Sequence, residues 1–477
     1  MVVVMKPGTR QQDIDALVSR LKELDLDVGI TNGVGCTILG LVGDTTAVDM
    51  DKISINPHVE RVMRETAALY GVREIRFPTF EHTELFQRSV GDTTDVVQKE
   101  MYTFEDKGKR SITLRPEGTA GTARTVVEHG LLSGTLPLKV YYSSLSCFRY
   151  EKPQAGRLRE FHQFGVEMIG SQSPAIDAEA IALVDEIFRN LGITGLSLEI
   201  NSIGCPECRA KYYEALREYF GQHKDKLCET CLGRLEKNPM RILDCKNPEC
   251  KEIAKDAPKV LDYLCDECRD HFEGLKARLD ALGIAYTVNP EIVRGLDYYT
   301  KTVFEFVSNN IGAQGTVCGG GRYDGLFETL GAPHTPALGF AMGIERLLMV
   351  MEQCGCEFPP EEPCTVYIGS MGEAAAVKAM ALVAEMRKEG FYAECDTMGR
   401  SVKAQMKYAD KLGAAYSCII GDNELETGVV QLKNMSNAEK TEVSINDGGE
   451  LPSLADFIYE DICRGLMDKV EESLQVE

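Results

Sequence analysis

The stretch SCFRYEKPQAGRLREFHQFGVE at 146–167 decides how this chain is read. Upstream it extends LKVYYSSLSCFRY, and downstream it runs into FHQFGVEMIG; both are rich in aromatic and β-branched residues and read as strands. The Lys-Pro-Gln-Ala-Gly run between them reads as a loop, and the strands are hairpin-like. SITLRP adds another strand, with helices between these segments. Hairpin-linked strands without regular strand-helix alternation indicate an antiparallel sheet in an α+β domain.

Working outward, three further segments join an arginine to glycine, carboxylate or tyrosine: SITLRPEGTAG at 111–121, VRGLDYYTKTVFEF at 293–306 and ALGFAMGIERL at 337–347. A guanidinium keeps its charge at any working pH and grips phosphate oxygens with a planar fork. Arginines from distant segments therefore point to one shared triphosphate, with the carboxylates and tyrosines suited to a small zwitterion beside it.

VERVMRETAALYG reads as a helix ending at Gly71, followed by REIRFPTF as a strand. Beyond the Pro-rich, acidic linker CEFPPEEPC at 356–364, TVYIGS, FYAECD, YSCIIGD and VVQLKNM alternate with the helical stretches AAAVKAMALVAEMRKEG and SVKAQMKYADKLG. That pattern is a separate α/β domain. The first 60 residues read as a small unit: MVVVM a strand, DIDALVSRLKEL a helix, VGITNG and CTILGLVG two strands, and HVERVM the last strand after a short helical stretch. Strand-helix-strand-strand-helix-strand is the order of a ferredoxin-like sandwich.

The chain has 477 residues, 44% apolar and 26% charged, which fits about three domains on the usual prior of about 150 residues each. Neither a secretory signal nor an apolar run of membrane-spanning length is visible, so a cytoplasmic protein with no membrane association is expected. A net charge of −22 argues against a surface generally attractive to nucleic acid, although a local basic groove stays compatible with it. Such a groove is offered by Arg400, Lys403, Lys407 and Lys411 at helical spacing. An ordinary solvated face gives the same pattern.

Eight of the seventeen cysteines lie between 205 and 268, as Cys205 with Cys208, Cys228 with Cys231, Cys245 with Cys250, and Cys265 with Cys268. These supply thiolates for one or two tetrahedral zinc sites of a structural kind, since four thiolates leave no open position for chemistry. The expected pairing joins 205/208 with 228/231 and 245/250 with 265/268; the spacing also allows the crossed arrangement, and a reduced insertion without metal is the alternative to zinc.

Together these segments resemble the histidyl-tRNA synthetases, class II aminoacyl-tRNA ligases, from about 61 to 477. RETAALYGVREIRFP resembles the first motif of the class, FRYEKPQAGRLREFHQ the second and GFAMGIERL the third, while VRGLDYYTKTVFE and GTVCGGGRYDGL resemble blocks special to the histidine enzymes. The resemblance implies a catalytic domain at 61–352 interrupted by a helical Cys-rich insertion at about 204–284. It also implies an anticodon-binding domain at 363–477. Residues 1–60 resemble the ferredoxin-like regulatory domain of some DAHP synthases, in MVVVMKPGTRQQDID and TILGLVGDT. They stand where the histidine enzymes carry a short Gly-x-x-Asp segment.

By the same resemblance, Arg149 would bind the α-phosphate of ATP, Arg346 the γ-phosphate, and Arg294 would face the α-phosphate and the reacting carboxylate. Glu117, Gly118, Thr119 and Gln163 would surround the histidine amino group, Glu167 with Tyr298 or Tyr299 would address the imidazole, and Tyr323 would complete that pocket. Gln154, Arg157 and Arg159 would lie near ATP and the tRNA acceptor end. The implied partners are ATP with Mg, L-histidine, tRNA(His) and a second copy of the chain. Two rivals share the fold: a regulatory paralogue of ATP phosphoribosyltransferase and a non-catalytic tRNA sensor. Loss of the ATP-binding arginines would mark either, and this chain keeps them.

Overall fold

The computed structural model describes residues 2–4, 27–33, 36–42, 57–91, 94, 96–151, 158–245, 247–292, 298–308, 315–356, 358, 363–446 and 451–474. The chain divides into two compact units, Met1–Phe358 and Pro359–Glu477.

The first unit is built on an eight-stranded sheet. Its spatial order is Thr287–Val288, Leu196–Ser202, Thr300–Ser308, Thr316–Arg322, Ala337–Gly343, Glu160–Ile169, Leu138–Phe148 and Arg73–Glu74. The six central strands pair antiparallel, and the two short edge strands pair parallel. The hairpin read from the sequence is the pair Leu138–Phe148 and Glu160–Ile169, with Tyr142 opposite Gly165 and a register shift between Tyr142 and Leu145.

Side chains alternate across a strand, so each strand serves two environments. On Glu160–Ile169, Phe164, Val166 and Met168 are buried in the core beneath helices Pro57–Leu69 and Pro174–Asn190. Gln163, Gly165 and Glu167 occupy the other face. Helix Pro174–Asn190 begins where Ser173 Oγ accepts the Ala175 amide at 3.2 Å, with Pro174 in the first turn where no amide is needed. It then inserts Ile181, Val184 and Ile187 into the core.

HVERVM is not a strand. It opens helix Pro57–Leu69, and Val59, Met63 and Ala67, spaced by four, are completely buried on one helical face. Upstream, Val2–Val4, Asp27–Gly33 and Cys36–Val42 form a three-stranded antiparallel sheet with Cys36–Val42 in the middle. The helix expected over DIDALVSRLKEL lies outside the described residues. REIRFPTF gives two short strands, Arg73–Glu74 and Phe80–His82, in different sheets, because Pro78 between them has no amide to offer a ladder.

Helices Pro206–Gly221, Glu229–Lys237, Pro248–Ala254 and Asp266–Ala281 make up the cysteine-rich segment. The first two and the loops around them share an apolar core that includes Tyr212, Leu216, Phe220, Leu235 and Val260. In the second unit a five-stranded sheet runs Ala393–Cys395, Val366–Ser370, Tyr416–Ile420, Val429–Asn434 and Lys440–Ser444. Its first three strands are parallel, as the strand-helix alternation requires, and its last two close as an antiparallel hairpin.

Candidate active site

The solvent-side face of the large sheet is paved with small residues. Gly319, Gly339, Ala341 and Gly343 line a cavity of about 320 Å³, a size ordinary for a small-molecule site. Its walls bring together Glu117, Thr119, Arg149, Gln163, Tyr298, Tyr299, Tyr323 and Arg346, which come from five separated sequence segments. Most of the sequence-derived site residues thus share one cavity. Arg294 and Arg157, with Gln154 and Asp297, lie outside the described residues.

Glu167 does not line the cavity; it lies beneath it, fully buried. Three hydroxyls that do line it donate to this carboxylate: Tyr323 at 2.5 Å, Thr119 at 2.7 Å and Tyr142 at 3.2 Å. Burial outweighs these bonds and pushes the Glu167 carboxyl up to about 8. Burial also raises Tyr142, Tyr298 and Tyr323 well above the usual phenol value, so all three stay protonated donors at neutral pH.

The glycines are steric requirements of this arrangement. Gly339 pairs with Glu167 across the ladder, and a β-carbon there would sit 1.7 Å from Glu167 Oε2. The Tyr142 ring lies between Gly118 and Gly165, where β-carbons would come within 2.2 and 2.3 Å of it. Gly118 therefore contributes room rather than a wall.

Glu117 caps the helix Thr119–Glu128: its two oxygens accept the amides of Thr119 at 2.7 Å and Ala120 at 2.8 Å. Burial pushes this carboxyl up as well. Arg149 donates from Nε to the Pro116 carbonyl at 2.9 Å and lies over the Phe161 ring at 5.7 Å. Arg346 donates to the Thr316 carbonyl at 2.6 Å. Glu345 accepts the His162 amide and ring nitrogen at 2.9 and 2.8 Å, and that bond raises the His162 imidazole pKa. The cavity thus combines a polar floor of hydroxyls over a carboxyl with two guanidiniums in its walls. That arrangement suits an amino acid bound next to a phosphate chain.

Arg159 stands apart from the cavity, donating to the Glu151 carbonyl at 3.1 Å with its guanidinium 4.4 Å from the Tyr150 ring centre. Arg322, in the same Gly-rich block as Tyr323, is completely buried away from the cavity. It donates to Asp177 at 2.9 Å and to Asp324 at 3.0 Å, while His271 closes on Asp177 at 2.8 Å. Sequence reasoning missed Tyr142, Phe161, Glu305 and Glu345 in the lining. For Tyr142 no local signal existed, because its place opposite Gly165 is set by the register of the hairpin.

In the cysteine-rich segment the sulfurs form two groups, Cys205, Cys208, Cys265 and Cys268, and Cys228, Cys231, Cys245 and Cys250. Within each, the four sulfurs lie within 4.8 Å of one another, close enough to hold a metal ion. This corrects the pairing of 205/208 with 228/231. The chain leaves the sheet after Leu196–Ser202 and returns through helix Asp266–Ala281, so the outermost pairs meet at that junction and the inner pairs close on each other. In the second unit Lys403, Lys407 and Lys411 are exposed on helix Val402–Lys411, while Arg400 bonds Asp396 at 2.9 Å and lies over Tyr408.

A family model described as Histidyl-tRNA synthetase matches residues 48–347. An Anticodon binding domain model matches 365–451, and a DAHP synthase ferredoxin-like domain model matches 1–65. The chain is 58% identical over 389 residues to a histidine–tRNA ligase of Acetivibrio thermocellus, covering 82% of this chain and 93% of the relative. It is 57% identical over 390 residues, with the same coverage, to one of Clostridium perfringens. Among solved structures, apo histidyl-tRNA synthetase of S. aureus superposes with a TM-score of 0.70 at 41% identity, covering 82% of this chain and 95% of that one. With that agreement in sequence and fold, the chain belongs to the histidyl-tRNA synthetase family.

Proposed function

We propose that this chain is a histidine–tRNA ligase that activates histidine with ATP and then transfers it to the 3′ end of tRNA(His). The observation that carries the reading is the single cavity whose lining joins three hydroxyls, bonded to the buried Glu167 beneath, with the guanidiniums of Arg149 and Arg346. The relatives named histidine–tRNA ligase favour it over the regulatory-paralogue reading.

In the first step a histidine carboxylate oxygen attacks the α-phosphorus of ATP, an O–P bond forms, and pyrophosphate leaves with the electrons of the broken bond. Arg149 stabilises charge on the α-phosphate, Arg346 holds the γ-phosphate, and Arg294 faces the reacting carboxylate; catalysis here is mostly positioning and charge cancellation. Magnesium enters with ATP and neutralises part of its charge. Arg157 adds to the ATP contacts. Glu117, Thr119 and Gln163 receive the α-ammonium group, Gly118 makes room for this wall, and Glu167 with Tyr298, Tyr299 and Tyr323 reads the imidazole. A buried polar floor rejects analogues that leave it unpaired. In the second step a terminal ribose hydroxyl of the tRNA attacks the acyl carbon and AMP leaves.

The exposed lysines of helix Val402–Lys411 contact tRNA phosphates, the working form is a cytoplasmic homodimer, and the cysteine groups are structural zinc sites. Among the described residues no helix is long and apolar enough to cross a membrane. The test is histidine-dependent ATP–pyrophosphate exchange by the full chain, followed by charging of tRNA(His). Exchange should require histidine and fall at least ~100-fold in Arg149→Ala, in line with lost electrostatic stabilisation. A folded chain that binds histidine without exchange overturns the ligase reading.

A further inference from the structure

We propose that the chain holds two zinc ions in separate four-thiolate sites and that the ion between Cys205, Cys208, Cys265 and Cys268 positions the tyrosine wall of the histidine pocket. The first clause makes the zinc reading above specific in number and ligands, and the second, which goes beyond it, also rests on the ligase reading.

Each group has the ligand number and chemistry of a closed zinc site. Zinc–sulfur bonds of about 2.3 Å in a tetrahedron set the sulfurs roughly 3.8 Å apart. The sulfurs of each group, all within 4.8 Å of one another, need little adjustment to reach that. Backbone amides already point at the sulfurs: Cys265 N–H donates to Cys208 Sγ at 3.1 Å, and Cys228 N–H to Cys250 Sγ at 3.2 Å. Such amide–sulfur bonds stabilise thiolates around a metal. Gly204, just before the first cysteine, has φ +70°, and a β-carbon on it would lie 2.5 Å from Cys208 Cβ. That is a knuckle turned tightly enough to present both sulfurs on one side.

The first group is hydrogen-bonded to the backbone of the pocket wall. The Lys301 amide donates to the Gly204 carbonyl at 2.9 Å, and the Ile203 amide donates to the Lys301 carbonyl at 2.8 Å. Arg209, one residue beyond Cys208, donates to the Tyr299 carbonyl at 3.0 Å. From the other limb, Glu267, inside the Cys265–Cys268 pair, accepts Lys301 Nζ at 2.8 Å. Both limbs of the site thus grip residues 299–301, and Tyr298 and Tyr299 line the cavity. Lys301 has a left-handed backbone at φ +47°, an uncommon conformation for lysine that these bonds hold in place. The second group reaches that wall only through apolar packing: Cys231, Cys245 and Cys250 share a core with Tyr299 and Val303, and among the described residues no hydrogen bond joins them to residues 299–301.

The test uses the full chain. Zinc counted by plasma mass spectrometry after dialysis should be two per chain, falling to one in Cys268→Ser and to one in Cys250→Ser; a wild-type count of one or none overturns the proposal. Amide hydrogen exchange over 298–304 should quicken at least tenfold in Cys268→Ser, which loosens the hydrogen-bonded grip, and at least threefold less than that in Cys250→Ser, which touches the segment by packing alone. Equal exchange in the two variants overturns the positioning role. Histidine affinity by calorimetry should weaken at least tenfold in Cys268→Ser alone. Should Cys268→Ser not fold, Arg209→Ala replaces it: it should keep two zincs yet show the faster exchange over 298–304, and unchanged exchange overturns the positioning role. A wild-type chain that binds zinc but no histidine counts against the proposed function, while the zinc count and hydrogen exchange still decide this inference.

Discussion

Tyr323 donates a 2.5 Å hydrogen bond to Glu167 across 156 positions of sequence, beneath the floor of the cavity. The carboxyl it meets is fully buried and raised to about 8, so near neutral pH the empty site holds a proton that an exposed glutamate would have lost. Between pH about 4.5 and about 8 the native state therefore binds more protons than the unfolded chain. Its contribution to stability is complete below pH 4.5 and is lost as pH rises through 8. Glu167→Gln should remove that decline, so its melting temperature should gain on wild type as pH increases from 5 to 9. The same variant should weaken histidine binding at least tenfold in calorimetry.

Gly339→Ala should be poorly tolerated. Its β-carbon would fall 1.7 Å from Glu167 Oε2 and 2.8 Å from the Val166 carbonyl, and only the first of these neighbours can swing away. A cost of about 1–3 kcal/mol is expected from overpacking, together with a displaced floor. Denaturant titration should show the lower midpoint, and exchange kinetics a raised KM for histidine with the KM for ATP changed less than twofold.

Arg322→Met should destabilise without acting on the chemistry directly. Burial pushes Asp177 up, yet the His271 hydrogen bond and the Arg322 charge hold it below the usual carboxylate value. Removing the guanidinium leaves Asp177 and Asp324 without their shared partner, at a cost of about 3–5 kcal/mol for a broken buried ion pair. Thermal melting should drop, and excess histidine should recover part of the loss through binding to the native state.

Reversing Lys403, Lys407 and Lys411 together to glutamate should separate the two half-reactions. The second unit has its own core, so the change should leave histidine-dependent exchange within twofold. Charging of tRNA should fall at least ~10-fold at moderate salt, and the salt dependence of tRNA binding should flatten as phosphate contacts are lost. An unchanged salt slope would mark these lysines as an ordinary solvated face.

The legible part of the fold was local in origin. The hairpin at 146–167 could be read because aromatic and β-branched runs flank a Pro-Gly turn, and the second unit because strand and helix periods alternate there. HVERVM misled because a six-residue apolar segment fits a strand as well as a helix. The burial of Val59, Met63 and Ala67 by the large sheet and its helices settles the choice. Of the expected pocket residues, Glu117, Thr119, Arg149, Gln163, Tyr298, Tyr299, Tyr323 and Arg346 line one cavity, Glu167 lies beneath it, and Arg159 stands apart. Tyr142 and Glu345 were missed because their place depends on which strand lies alongside.

By itself the sequence determined the residue types: arginines beside carboxylates in separated blocks, four cysteine pairs, glycine runs without side chains, and a period that changes from mixed to regular beyond the linker. Only the tertiary structure decided the partners. It placed Gly339 opposite Glu167, set Tyr142 over Gly165, sent Arg322 inward to Asp177, and nested the cysteine pairs where the chain leaves and rejoins the sheet. The reason is physical: composition and period are fixed by neighbours a few residues away. Register, burial and chain return are fixed by contacts between segments a hundred or more residues apart, which leave no mark on the local pattern.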